Sequence, residues 1–112
     1  MLEEINLAIA QMSCRVGDKN HNTKTMEKNI KKANKEGADI VVFPELSLTG
    51  YVCRDLVYEL AEVVPNGQSV SQIESIAKRE NVHVIFGMIE KSSRANAVLH
   101  NTAVLIGPEG FI

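Results

Sequence analysis

No stretch of this sequence is apolar for long enough to cross a bilayer as a helix, so no membrane partner is expected. The first residues, Met1 to Asn6, hold two glutamates and lack the cationic region that opens a secretory signal. Together these absences point to a cytoplasmic protein. Cysteine is scarce as well: Cys14 and Cys53 are too few for a disulfide framework, and in a reducing compartment they are expected as free thiols. No surplus of positive charge is present. Twelve Lys and Arg stand against 14 Asp and Glu, a formal charge of −2, so nothing in the charge balance asks for nucleic acid. Internal repeats and low-complexity segments are also lacking. What remains is an ordinary globular composition, 45% apolar and 23% charged, in 112 residues, the size of one domain. The basic residues gather only from Lys24 to Lys35, interrupted by Glu27, Asn29, Ile30 and Ala33, which reads as the solvated side of an amphipathic helix.

Ile5, Leu7 and Ile9 alternate with Asn6, Ala8 and Ala10, and both sets are small or apolar enough to be covered, which predicts a buried strand from about Ile5 to Gln11. After a break at Val16-Gly17-Asp18, residues Thr23, Met26, Ile30, Ala33 and Gly37 recur on one helical face, with Gly37 placed to end the helix. Ile40 to Phe43 is β-branched, apolar and closed by Pro44, a second buried strand. Strand, helix and strand with short connections form a right-handed parallel crossover. Leu56, Val57, Leu60, Ala61, Val63 and Val64 suggest a helical stretch that Pro65 and Gly67 terminate. Ser69 and Gln72 have capping-box spacing, and Val70, Ile73, Ile76 and Ala77 then repeat at helical intervals to about Glu80. Val82 to Met88 and Val98 to Ile106 read as strands, and Pro108-Glu109-Gly110 as a tight turn into one more. The expected class is α/β, in the order β-α-β-(irregular or helix)-α-β-β. Stopping two apolar residues after a turn, the chain reads as cut short.

Glu45 follows directly on the strand Ile40 to Phe43, and in open α/β sheets ligand sites collect at the carboxyl ends of strands. Pro44 keeps Phe43 extended, so the glutamate projects from a stiff strand end, as suits a group that must be aimed at a proton. Among Phe43, Leu46, Leu48 and Tyr51 its carboxylate would lose some hydration, which favours proton uptake. Position alone leaves a solvated turn glutamate as the alternative. Cys14, after the first strand, and Cys53, eight residues beyond Glu45, could approach the same rim, yet small buried cysteines are commoner than reactive ones. His83 and His100 fall in expected strands with no second ligand at a recognisable spacing, so no metal site is expected.

The run Phe43-Pro44-Glu45-Leu46-Ser47-Leu48-Thr49-Gly50-Tyr51 resembles the glutamate motif of the nitrilase superfamily of carbon-nitrogen hydrolases: nitrilases, aliphatic amidases, carbamoylases and the glutaminase domains of some NAD synthetases. The flanks agree in order. Ile5 to Gln11 is similar to the family's first strand, Val16-Gly17-Asp18 to its first turn, and Gly37-Ala38-Asp39 to the lead into the glutamate strand. Asn101-Thr102-Ala103 with Gly107-Pro108-Glu109-Gly110 resembles the hairpin before the family's lysine motif. The resemblance covers essentially the whole chain. It implies an αββα sandwich, of which this chain would form the first part, and a Glu-Lys-Cys triad without metal or organic cofactor. In such a triad the glutamate is general base, the lysine stabilises the oxyanion and the cysteine attacks carbon. Only the glutamate maps here, as Glu45; Lys91, Cys14 and Cys53 match neither of the other two. Tyr51, inside the motif, either lines the substrate pocket or simply packs.

Two functions of different class follow. The first is a portion of a hydrolase for non-peptide C-N bonds in a small amide or nitrile, inactive without the missing residues. The second is a non-enzymatic α/β module with a structural or partner-binding role. The inner face of such a sheet normally meets a second sheet, so the isolated chain is expected to expose apolar surface and to form a homo-oligomer or a poorly soluble monomer. The motif does not choose among amide, nitrile, carbamoyl and glutamine substrates.

Overall fold

Side chains alternate across a strand, so a sheet with helices on one side sorts its residues into a covered row and an open row. The computed structural model describes residues 4–51, 54–95 and 97–112. Its sheet has five strands in sequence order: β1 (Leu7–Ile9), β2 (Ile40–Val42), β3 (His83–Lys91), β4 (Leu99–Gly107) and β5 (Gly110–Phe111). The first three run parallel, and β4 and β5 return antiparallel. Helices α1 (Lys19–Lys35) and α3 (Gln68–Glu80) form the crossovers that parallel pairing requires. The order agrees with the expected one, with β5 as the strand that Phe111 only begins.

Register places Ala8, Val41, Val84 and Ile106 side by side across four strands. This row faces the helices. Val41, Val84, Phe86, Met88, Val104 and Ile106 pack there against Met26, Ile30 and Ala33 of α1 and Val70, Ile73, Ile76 and Ala77 of α3. The lysines from Lys24 to Lys35 point away, as the amphipathic reading required. The alternate row, Ile9, Val42, Ile85 and Leu105, lies on the other face. There Leu7 is 56% exposed and Ile9 77% exposed. The expectation that both sides of the first strand are covered is therefore corrected: only the side carrying Ala8 and Ala10 meets helices, and the regular strand is three residues long.

Between β2 and α3 the expected helix is much shorter than its apolar residues suggested. A 3₁₀ turn (Arg54–Leu56) runs into α2 (Val57–Leu60), which stops at Ala61. Val57, Leu60 and Ala61 pack with Leu46 and Leu99 around Ile89 on the open face. The backbone then leaves the helix to pair with β3: the Glu62 amide donates to Ile89 O and the Lys91 amide to Glu62 O.

The expected capping box at Ser69 and Gln72 does not form. Gly67 is the N-cap of α3 and no side chain caps from that position. The Glu62 carboxylate serves instead, Oε1 accepting from the amides of Ser69 at 2.7 Å and Val70 at 3.4 Å. A Cβ on Gly67 would lie 2.5 Å from that oxygen, so glycine makes the room. Oε2 accepts from Lys19 Nζ at 2.7 Å, and the same ammonium donates to Leu60 O at 3.0 Å. One carboxylate, 7% exposed, thus joins the starts of both long helices to the segment between them. Burial pushes the Glu62 carboxyl up, but the hydrogen bonds from Lys19 and Ser69 outweigh it and hold it below the ordinary carboxylate value.

Breaking this arrangement with Glu62→Gln is expected to lower the free energy of unfolding by about 3 kcal/mol in urea melts at neutral pH, the low end for a buried pair that loses one partner. A carboxyl whose folded pKa is lowered stabilises fully above its unfolded pKa and loses that contribution as pH falls through the folded one. The gap between parent and variant should therefore close on acidification below about pH 4. A gap of constant size across that range would contradict the assignment.

Candidate functional site

Strand β2 ends its regular pairing at Val42, and one more bond, Phe43 N to Ile85 O at 2.8 Å, carries it along β3. Residues 45–49 then form a turn over the open face. Phe86 and Met88 point into the helix-side core, so Gly87 faces the other way, and a Cβ on it would press into Leu46 N and lie 2.9 Å from Glu45 Cα. Backbone can lie on β3 here only because no side chain stands in its path. The turn is fastened by Leu48 N donating to Gly87 O at 3.2 Å and by Gly50 N donating to Leu46 O at 2.8 Å. Leu46, directly after the glutamate, holds φ at +50°, a conformation that costs a non-glycine residue about 1–2 kcal/mol.

Behind this turn lies Asn22, completely buried on the first turn of α1. Its amide accepts from Arg15 N at 2.8 Å and donates to Arg15 O at 2.8 Å and Leu48 O at 2.9 Å. Gly17 N adds a bond to Thr49 O at 2.8 Å. The loops after β1 and β2 are thereby locked to each other. Ser47, Leu48 and Thr49 are wholly buried, as deeply as the core.

The Glu45 side chain emerges from this base exposed. That differs from the expectation of lost hydration: Leu48 and Phe43 turn inward beneath the loop and do not cover the carboxylate. Both oxygens are nevertheless held. Tyr51 donates its hydroxyl to Oε2 at 3.0 Å and Asn101 donates Nδ2 to Oε1 at 2.5 Å. Among the described residues no Lys or Arg forms an ion pair with Glu45. The carboxylate is oriented by two neutral donors, and its charge is left uncompensated.

Tyr51 is 64% exposed beside it. The hydrogen bond to Glu45, together with lost hydration and the nearby negative charge, pushes the phenol up from its ordinary value. Cys14, in the loop after β1, stands near enough to weigh slightly on that ionisation. Its thiol is half-buried and burial pushes it up, which leaves it protonated at neutral pH, the opposite of an activated nucleophile. Cys53 lies outside the described residues. His83 is half-buried and His100 exposed; among the described residues no group of three or more His, Cys, Asp or Glu is gathered as a metal centre needs. Asn101 is the site residue whose role went unread: it stood within the hairpin resemblance, but no local pattern reveals a partner 56 residues away.

A family model for carbon-nitrogen hydrolases matches residues 6–112. The chain belongs to that family. Among its relatives, a nitrilase of Pyrococcus abyssi is 37% identical over 110 residues, which cover 96% of this chain and 41% of that protein. A 2-oxoglutaramate amidase of Bacillus subtilis is 34% identical over 107 residues, covering 95% and 39% respectively. The chain thus spans about two-fifths of the length of these relatives. An amidase from Nesterenkonia sp. shares the fold, with a TM-score of 0.81 at 20% identity, over 96% of this chain and 40% of its own. The sheet with helices on one side is accordingly a carbon-nitrogen hydrolase half-layer, the mixed α/β class that the sequence implied.

With Tyr58→Phe as background, Tyr51 is the only tyrosine left of two, and its ultraviolet titration should lie above that of a free phenol. Glu45→Ala should bring it down toward the ordinary value. An unmoved titration would show that the carboxylate and the phenol do not meet in solution.

Proposed function

We propose that this chain supplies the general-base glutamate, Glu45, of a cysteine-dependent hydrolase acting on non-peptide carbon-nitrogen bonds in small amides or nitriles. The observation that carries the reading is the state of that carboxylate: fixed at both oxygens by neutral donors, unpaired with any described cation, and open on the face that the helices leave free. A carboxylate so placed can take a proton without first breaking a salt bridge.

In the reaction that the resemblance implies, an incoming thiol gives its proton to Glu45 and its sulfur bonds to the carbonyl carbon. A lysine holds the developing oxyanion. The amine departs with the proton, leaving a thioester, and water activated by the same carboxylate releases the acid and restores the thiol. The lysine and cysteine of this scheme do not map onto these 112 residues, so the chain alone is not expected to turn over. A glutamate-to-glutamine mutant of the Nesterenkonia amidase, for its part, adds acrylamide at its active-site cysteine, and relatives named nitrilase and 2-oxoglutaramate amidase lend support to nitrile or amide substrates. Tyr51 borders the pocket in which the substrate would lie. No metal or organic cofactor enters the scheme.

No helix among the described residues is long and apolar enough to cross a membrane. A cytoplasmic location is part of this reading. Homo-oligomerisation through the exposed Leu7 and Ile9 face is part of the same reading.

The purified 112-residue chain should elute from size exclusion as an oligomer and hydrolyse neither amide nor nitrile. Joined in frame to the complementary segment of the Pyrococcus abyssi relative, which is expected to bring the lysine and cysteine, it should gain amide or nitrile hydrolysis. Glu45→Gln in that hybrid should cost about 10²- to 10⁴-fold in rate. A Glu45→Gln hybrid as fast as its parent would overturn the proposal.

A further inference from the structure

The geometry points to Asn101 as a positioning residue for the Glu45 carboxylate, a role that rests on the reading of Glu45 as general base. A glutamate on an exposed turn has several rotatable bonds, and a base that samples many directions wastes most encounters with its proton donor. Of the two groups that hold Glu45, Tyr51 belongs to the same loop, only six residues further on, and travels with it. Asn101 does not. It stands on β4, whose register with β3 runs unbroken from Val84 opposite Ile106 to Lys91 opposite Leu99. Among the described residues it alone ties the carboxylate to the frame of the sheet.

The row beneath explains how the two side chains meet. Asn101 pairs with Ile89, and the next residues on the same face are Gly87 on β3 and Ala103 on β4, themselves a pair. Neither carries a side chain tall enough to block a glutamate that starts over Gly87 and reaches across to β4. The bulk that β3 and β4 carry on this face lies instead at Ile85, Leu105, Ile89 and Leu99. The opening therefore leads to Asn101.

The chemistry of an amide suits the task. Its N–H donates to an ionised oxygen and stabilises the direction in which the carboxylate points, yet it neither carries charge nor ionises near neutral pH. A lysine or arginine in its place would neutralise the base, and an acid would repel it. Each carboxylate oxygen has room for about two donors, so one bond to Oε1 and one to Oε2 leave an acceptor position on each for an incoming thiol.

Two measurements test this. In the 112-residue chain, the Nδ2 amide resonances of Asn101, assigned by their loss in Asn101→Leu, should shift as the carboxylate is protonated at acid pH and should stay flat in Glu45→Gln. A parent resonance that does not titrate would overturn the contact and the role with it. In the hybrid enzyme, Asn101→Leu should lower kcat about 10- to 100-fold with KM within about threefold, because orientation and not substrate affinity is lost. An unchanged kcat in Asn101→Leu beside a dead Glu45→Gln would overturn the positioning role while leaving the general base intact. An active Glu45→Gln hybrid would instead remove the general-base reading and this role together, with the amide titration still reporting on the contact.

Discussion

The close approach of two backbones at Gly87 is the constraint on which the site depends. A parallel strand such as β3 offers hydrogen-bonding groups along both edges, and buried ones must be met by something. Once β2 ends, the edge is taken over by irregular chain: Leu48 N reaches Gly87 O, and Glu62 then pairs with Ile89 and Lys91. To make these bonds, the residues that follow β2 must lie on the sheet at the level where Gly87 has no side chain. That seating turns Glu45 from a residue merely near a strand end into one whose Cα is fixed on β3. The left-handed φ of Leu46 is the local strain that the surrounding bonds sustain.

Two buried polar side chains extend the same logic outward. Asn22 holds the loops after β1 and β2 together, and Glu62 joins α1, α3 and the segment between them. Each satisfies backbone groups that no helix or strand ladder reaches, and each is itself fully bonded, the condition under which buried polarity confers rigidity instead of cost. Irregular chain is thereby bonded to the sheet and helices around it. The helices cover Val41, Val84, Phe86, Met88, Val104 and Ile106 on one face, and the other, with Ile9, Val42, Ile85 and Leu105, carries both the apolar surface and the acidic site.

Periodic elements were readable from residue pattern because one-sided burial writes itself into spacing. The faces of α1 and α3 and the strands β2, β3 and β4 were all anticipated to within a few residues. β1 was misjudged for a physical reason: Leu7 and Ile9 are as apolar as core residues, but nothing described here covers them. The α2 segment misled because Ala61 is buried and Val57 and Leu60 partly so, only against Ile89 and Leu99, after which pairing with β3 outweighs continued helix. The capping box lost to Glu62, a carboxylate reaching Ser69 from outside the helix, which no short motif encodes. Glu45 was legible through the nine-residue run around it. Its clamp was not, since Asn101 reaches it only through sheet register, and Gly87 had the look of any strand glycine.

Restoring a side chain at position 87 tests the central claim most directly. In Gly87→Ala, on the Tyr58→Phe background, urea unfolding and the Tyr51 ultraviolet titration would be read on the same sample. The added methyl must push the Glu45-Leu46 backbone off the sheet, so the account predicts a loss of about 1–3 kcal/mol, the usual range for overpacking, with the Tyr51 titration falling toward that of a free phenol. An alanine variant as stable as its parent, with the phenol still raised, would contradict it.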